Sequence, residues 1–397
     1  MSEPILISGA GIVSAIGVGK EPTLKSLLSQ SSGIGDVKYL QTAHDEFPVG
    51  EVKLSDGEMM SMLGLPQDST QIRTSLMGMI ALKEALQEAG INSDLIGSTG
   101  FISGTTVGGM DKSEQYYLDF LDNDRHNEYI ATHDCGACTE MIADHFGRFA
   151  WLSTISTACS SAANAIVAAA NLIKAGEADI VVAGGCECLS KFHLNGFNSL
   201  MILDTAPCRP FDATRRGLNL GEGAAYMVLE SAASVKRRGI VPLASLWGYG
   251  NACDAFHQTA SSPDGTGAYK AMAKALEMGG VEPGGIDYIN AHGTGTENND
   301  LSESQAIIRL FGDCVPPISS TKSFTGHTTS ASGAIEAVIC ILALQHQFLP
   351  VNLNWKEPME NGIKPVTDMK SPRPINMALC NSFGFGGNDT SLLLSRV

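Results

Sequence analysis

Charge is scarce in this chain and of the wrong sign for phosphate. Asp, Glu, Lys and Arg make up 17% of the 397 residues, with 26 basic against 42 acidic. A net charge of −16 gives no bulk attraction for nucleic acid or anionic lipid, so neither is an expected partner. Long apolar runs are also missing. The longest small-apolar stretch, Ala162 to Ile173, is interrupted by Asn164 and Asn171 and is too short to span a bilayer. The opening Met1-Ser-Glu-Pro-Ile-Leu-Ile-Ser has no basic segment leading into an apolar one, so no signal peptide is expected. Hydrophobic residues, at 44%, are ample for a deep core, and the length allows two ordinary domains or one large fold. The ten cysteines are scattered along a core-forming chain, which reads as free thiols in a reducing cytoplasm.

Short β-branched runs read as buried strands at Ile5–Ser8, Gly100–Gly104, Asp179–Ala183, Ala225–Leu229, Ile286–Ala291, Ile375–Cys380 and Ser391–Leu394. Helical patterns lie between them, at Ser75–Glu88, Gly267–Met278 and Leu301–Phe311. This alternation predicts an α/β protein with largely parallel sheets. Two further helices, Ser160–Ala175 and Ser332–Gln345, are apolar or small on nearly every face, the mark of a helix buried on all sides. Their lead-ins are alike, Ser156-Thr-Ala-Cys159-Ser-Ser-Ala-Ala against Phe324-Thr-Gly-His327-Thr-Thr-Ser-Ala, and each follows a segment that can be a strand (Ser153–Ser156, Pro317–Ser320). Together these features predict a duplicated fold, 1–240 and 241–397, with Glu230–Arg238 as a solvated connector. Cys159 and His327 then face each other at equivalent helix starts.

A helix N-terminus lowers a thiol pKa, so Cys159 is placed as a nucleophile, with Ala158, Ser160 and Ser161 leaving room for an acyl group. A buried core thiol would read the same way. His292 follows a strand in Ala291-His-Gly-Thr-Gly-Thr296, where ligands of α/β sheets bind; its bland reading is a histidine satisfied by its own loop. His327 can donate from one ring nitrogen if the other is held. Lys322 is the only cation near it in sequence, and a solvated surface lysine is the alternative. Asn381-Ser-Phe-Gly-Phe-Gly-Gly-Asn388 follows a strand and can aim a backbone N–H at an oxyanion. His133, Cys135, Cys138 and His145 fit no standard zinc spacing and read as a helix continuing to Phe149 with packed thiols.

Taken in order, Thr157-Ala-Cys159-Ser-Ser, His292-Gly-Thr-Gly-Thr, Lys322-Ser-x-Thr-Gly-His327 and Asn381-Ser-Phe-Gly-Phe-Gly-Gly resemble the β-ketoacyl-acyl-carrier-protein synthases, in the branch with one Cys and two His. Gly9-Ala-Gly-Ile-Val-Ser14 and Arg209-Pro-Phe-Asp with Gly221-Glu-Gly extend the resemblance almost end to end. It implies the thiolase-type fold, a five-layered αβαβα sandwich of two similar halves, commonly a homodimer. It implies that an acyl group passes from carrier-protein phosphopantetheine to Cys159. Malonyl-carrier protein then loses CO2 and its enolate attacks that thioester. His292 and His327 would stabilise the enolate. The N–H groups of Cys159 and Phe385 would form the oxyanion hole. Lys322 would support the second His, with Glu303 as its carboxylate partner. Thr259, Thr294 and Thr296 match positions that bind the pantetheine arm, Phe385 matches a gate, and Val107 and Phe197 are carried over as substrate-binding positions. Neither a metal nor an organic cofactor is implied.

The departures are specific. Asp111–Ala137 has little similarity to common members, although that region normally serves the dimer contact and acyl pocket. Gln67-Asp68 and Leu200-Met201 replace basic docking residues, leaving Lys191, Arg209, Arg215 and Arg216 as candidates, and Asn388-Asp389 stands where relatives carry Thr-Asn. These suggest a specialised synthase as much as a housekeeping one. A thiolase would need a second reactive Cys in the last glycine turn, which instead holds Phe383 and Phe385. Plant-type and initiating enzymes use Asn where His327 stands. A silent partner subunit would lack Cys159, whereas the active subunit of a heterodimer would keep it.

Overall fold

A computed structural model describes residues 4–397. Ten main strands fall into two sets of five. The first set is β1 Ile5–Ser14, β2 Gly100–Gly104, β3 Trp151–Ile155, β4 Ile180–Glu187 and β5 Gly223–Glu230. The second is β6 Ala244–Cys253, β7 Tyr288–Asn290, β8 Ile318–Ser319, β9 Met377–Gly384 and β10 Asn388–Ser395. Their spatial orders are β3-β2-β4-β5-β1 and β8-β7-β9-β10-β6, the same 3-2-4-5-1 pattern twice. The sets join where Ile5–Ile7 pairs antiparallel with Ala244–Leu246.

The helices repeat as well. In the first half α1 (Arg73–Ala89), α2 (Cys135–Phe146) and α3 (Ser161–Lys174) follow the first, second and third strands. In the second half α4 (Thr266–Gly279), α5 (Glu297–Phe311) and α6 (Ser332–His346) do the same. Strand alternation sorts side chains into layers. Ala225, Met227 and Leu229 of β5 face a core shared with α3 and α6, whereas Ala224, Tyr226 and Val228 face α1 and α2. Leu392 and Leu394 of β10 join the central core while Leu393 joins the outer one with α4 and α5. The result is helix, sheet, central helix pair, sheet, helix: the thiolase-type arrangement of two similar halves.

Two expectations need correction. The sheets are mixed, not largely parallel: β2 with β3 and β4, and β7 with β8 and β9, run parallel, but β5, β1, β6 and β10 pair antiparallel. The turn Phe385–Gly387 joins β9 to β10 directly, and so tight a link permits only an antiparallel pair. Secondly, β1 runs on to Ser14 and β6 did not stand out from the sequence pattern, because glycines interrupt both. A Cβ on Gly9 or Gly11 would fall 2.3 or 2.0 Å from the α1 carbonyls of Ala85 and Ala81. Gly248 and Gly250 meet the α4 carbonyls of Ala275 and Ala271 in the same way, at 2.4 and 2.1 Å. Close helix–strand packing removes the side chains that a strand pattern needs.

The central helices differ from each other. From Ser332 to Leu344 every residue of α6 is buried. It is also the one helical stretch of the described residues long and apolar enough to cross a membrane, and 89% of it is buried inside the fold. By contrast α3 leaves Asn164, Val167, Ala168 and Asn171 incompletely buried, a stripe at helical spacing, so it is not enclosed on all sides. The segment Glu230–Arg238 is not a simple solvated connector either. Glu230 is buried and bonds Ser8, Ser234 and Arg238, and only the outer face of the helix Ala232–Arg238 is solvated. Finally, α2 stops at Phe146, before Phe149, where Gly147 leaves the helical region at φ +117.

Candidate active site

The nucleophile candidate sits between β3 and α3 on a strained turn. Ala158 adopts φ +53, and Ser161 Oγ fixes that turn by donating to the Ala158 carbonyl at 2.6 Å and accepting from Thr157 N–H at 2.9 Å. A small residue is the least strained choice in that conformation after glycine. Cys159 follows at 5% exposure, its sulfur 3.1 Å from His327 Nε2. The N–H of Phe385 and that of Cys159 itself address the sulfur and, with Lys322, favour its thiolate. Burial outweighs them and pushes the thiol up to about 11, the opposite of the lowering expected from a helix start alone. Cys159 therefore rests as a thiol, and attack requires a nearby base to take its proton.

His327 leads into a 3-10 turn and then α6, as its sequence likeness to Cys159 predicted. Its backbone N–H donates to Asn219 at 2.7 Å, and its Nδ1 lies 3.0 Å from Ser332 Oγ. His292 ends the link from β7, with its ring 5.3 Å from that of His327 at 84°. Gly293, at φ +32, makes this turn, where a Cβ would meet Ser320 at 2.6 Å. Burial and the Lys322 charge hold both imidazoles well below the usual histidine range, so both are neutral.

Lys322 is 1% exposed, which removes the surface-lysine reading. Its Nζ lies 3.3 Å from His292 Nδ1 and 2.5 Å from Glu336 Oε1. The lysine thus serves His292, and its carboxylate partner is Glu336, not Glu303. Glu303 instead accepts the N–H groups of His292 and Gly293 at 2.9 and 2.8 Å and Asn381 Nδ2 at 3.0 Å, shaping the histidine loop. Burial pushes both carboxyls up to about 7, in Glu336 against the pull of Lys322. Glu336 had a sequence signal that the pattern reading passed over. It is the only charged residue in the apolar helix Ser332–Gln345, and a buried charge needs a partner.

An ammonium has only N–H bonds to offer, so His292 Nδ1 must accept and Nε2 must carry the hydrogen. At His327 the partner of Nδ1 is a hydroxyl, which can donate or accept, and either tautomer is satisfied.

Cys159, His292 and His327 open onto a cavity of about 410 Å³, together with Phe197, Thr259, Thr294, Thr296 and Phe385. Thr294 and Thr296 share a 2.8 Å hydroxyl contact. Phe197 and Phe385 stack at 5.7 Å and close the inner side. Val107 does not reach this cavity. It is 3% exposed in the outer core with α1 and α2, its N–H on Glu187 at 3.2 Å. Phe383, 5.8 Å from His292, lines the cavity and was not foreseen as such. Of the foreseen docking cations, Arg209 turns to Asp204 at 2.9 Å and Arg215 to Asp300 at 3.7 Å. Arg216 also reaches Asp204, at 3.3 Å, but stays largely exposed at the mouth beside Leu200 and Met201. Away from the cavity, His133 contacts Ser113; all ten cysteines, Cys159 included, are free.

Comparison with known proteins bears directly on this geometry. The family model described as "Beta-ketoacyl synthase, N-terminal domain" matches residues 2–234, and "Beta-ketoacyl synthase, C-terminal domain" matches 243–356. The chain belongs to the β-ketoacyl synthase family. It is 36% identical to the 3-oxoacyl-[acyl-carrier-protein] synthase 2 of Rhizobium meliloti (strain 1021), covering 99% of this chain and 98% of the relative. It superposes on the ishigamide ketosynthase/chain length factor with a TM-score of 0.91 at 29% identity, each chain covered in full. Against the ketosynthase (ApeO) in complex with its chain length factor (ApeC) from Xenorhabdus doucetiae the TM-score is 0.86 at 31% identity, covering 100% and 98%. The enzyme is an acyltransferase, a 3-oxoacyl-[acyl-carrier-protein] synthase that condenses an acyl thioester with malonyl-carrier protein in fatty-acid or polyketide chain elongation.

Proposed function

We propose that Cys159 carries the acyl chain and that the two histidines divide the remaining work by tautomer. The observation that carries this reading is the pair of Nδ1 partners, an ammonium on His292 and a hydroxyl on His327. In the first stage His327 Nε2 takes the thiol proton as the sulfur attacks the incoming thioester. It then returns that proton to the departing carrier thiol. The N–H groups of Cys159 and Phe385 hold the oxyanion. In the second stage both Nε2–H groups donate to the malonyl thioester oxygen as CO2 leaves; the enolate carbon then attacks acyl-Cys159, the C–S bond breaks, and the released Cys159 thiolate takes a proton from solvent. Thr259, Thr294 and Thr296 line the route of the pantetheine arm, while Phe385 and Phe197 gate the acyl chain. The chain divides near residue 240 into a nucleophile half and a histidine half, and the protein is cytoplasmic.

The carrier protein docks at the mouth, where Arg216 faces the phosphodiester of the arm. A second subunit covers the open side of the first half. Leu152 on the edge strand β3, and Tyr117, Leu118, Leu121 and Ile130 in the divergent segment, are exposed apolar residues on that half. A homodimer and a heterodimer with a related subunit both satisfy this surface. The ketosynthases with chain length factors among the solved relatives favour weighing the second alongside the first.

Intact-mass measurement after incubation with acyl-carrier protein tests the centre of the proposal. Cys159→Ala should acquire no acyl group, and covalent loading of that variant would sink it. His292→Ala should depress malonyl decarboxylation by about 10²-fold or more while acylation of Cys159 falls much less. His327→Ala should depress both, because His327 serves both stages.

A further inference from the structure

The Phe385 N–H belongs to a turn that has little stiffness of its own. Gly386 and Gly387 both adopt positive φ, at +81 and +78, and neither has a side chain to pack. Something outside the turn must keep the N–H on Cys159. On the entering side Ser382 Oγ donates to the Cys159 carbonyl at 2.9 Å. On the leaving side the amide oxygen of Asn388 accepts from Asn164 Nδ2 at 2.7 Å and Asn251 Nδ2 at 2.9 Å, and the Ser160 hydroxyl shares its one hydrogen between that oxygen at 2.9 Å and the Thr157 carbonyl at 2.8 Å. Ser160 is the residue after the nucleophile, and Asn164 stands on the first turn of α3. Two of the three neighbours present NH2 groups, so the oxygen, not the nitrogen, of Asn388 must face them. Asn164 is itself held, its Oδ1 accepting from Thr390 at 2.8 Å and Asn251 at 3.1 Å. Backbone bonds from Gly386 N–H to the Gln258 carbonyl at 2.7 Å and from Asp254 N–H to the Gly387 carbonyl at 2.8 Å hold the turn to the β6 side, and the Ser382 and Asn388 contacts tie it to the nucleophile's own helix.

We infer that Asn388 is a positioning residue for acyl transfer, its amide oxygen clamping the Phe385–Gly387 turn to the N-terminus of α3 so that the oxyanion donor stays in register with Cys159. A hydroxyl side chain, one bond shorter, would not span donors on both α3 and β6. The inference rests on the assignment of Cys159 and Phe385 made above.

Asn388→Ala tests it in the full-length enzyme. Acylation of Cys159 should slow roughly 10- to 100-fold, short of the ~10²–10³-fold expected for losing an oxyanion donor outright. Malonyl decarboxylation, which uses the histidines, should change far less. Because the Phe385 N–H also favours the thiolate, iodoacetamide should alkylate Cys159 about threefold more slowly at pH 8, as for a half-unit rise in its pKa. Asn164→Ala should reproduce the defect, and the double variant should cost little more than either single one. If Asn388→Ala does not fold, Ser160→Ala removes one donor of the three and should show the same pattern at smaller size. Unchanged acylation and alkylation, or equal losses in both half-reactions, would overturn the clamp. Loading of Cys159→Ala would instead overturn the underlying assignment, so the two failures are distinct.

Discussion

The two halves of this enzyme share a strand order, a helix order and even their glycine contacts, yet they differ in what they bury. Gly9 and Gly11 press β1 onto α1 as Gly248 and Gly250 press β6 onto α4. Both α1 and α4 end on a left-handed glycine, Gly90 and Gly280. Against this common frame, α3 carries Cys159 at its start and leaves a stripe open, whereas α6 is sealed and holds Glu336 against Lys322 of the preceding segment. Where α6 has Glu336, nine residues beyond His327, α3 has Ala168, nine beyond Cys159. At this equivalent pair of helices one copy presents a sulfur and a surface, and the other holds a carboxylate away from water.

Glu336→Leu should break that contrast most severely. It strands the Lys322 ammonium in the core, a change that costs about 3–5 kcal/mol when one partner of a buried pair is removed. It also frees Lys322 from its position on His292 Nδ1, so decarboxylation should fall with stability. Glu336→Gln keeps an acceptor and should recover part of the stability. Denaturant unfolding of both variants checks this, and equal stability of Leu and wild type would show that the pair is not a structural requirement. Next in size is the open side of the first half. Leu152→Glu places a charge on the exposed edge of β3, and light scattering should show dissociation of the assembled subunits with each half still folded. An unchanged mass would remove β3 from the interface.

The duplicated fold was legible because two helices are apolar or small on nearly every face in sequence and their lead-ins match around Cys159 and His327. The four chemical motifs were legible as residue types at strand and helix ends. What could not be read was pairing across the fold. Glu303 and Glu336 are both acids on α5 and α6, and only the packing shows that Glu303 meets backbone N–H groups while Glu336 meets Lys322. The thiol pKa was misjudged for a related reason. A helix start is visible in sequence, but the burial that outweighs it is a property of both halves together. Strands β1 and β6 were cut short or passed over because the glycines that fit them to their helices erase the alternating pattern.

The smallest effect separates the carboxyls at the fifth strand of each half. Glu222, just before β5, is buried but fully engaged: Arg73 donates to it at 2.6 and 2.9 Å, and the N–H groups of Val52 and Leu189 add to this. Asp389, on β10, has no salt bridge among the described residues, and burial with the nearby Asp254 charge pushes it up to about 8. The unfolded chain would titrate this group near 3.8. Between those two values the folded state holds the extra proton, so stability declines as pH rises through the window and the full penalty is reached above about 8. Asp389→Asn removes the ionisation. Its melting temperature should exceed that of the wild type by roughly 1–3 °C at pH 8.5, and the gap should close as pH falls towards 3.8. Arg73, by contrast, pairs with Glu222 at 2.6 Å, so Glu222→Gln breaks a buried ion pair and should lower stability throughout the neutral range. A parallel pH dependence for Asp389→Asn and wild type would mean that Asp389 finds a cation or a donor in the assembled enzyme, and the two halves would then treat their buried carboxyls alike.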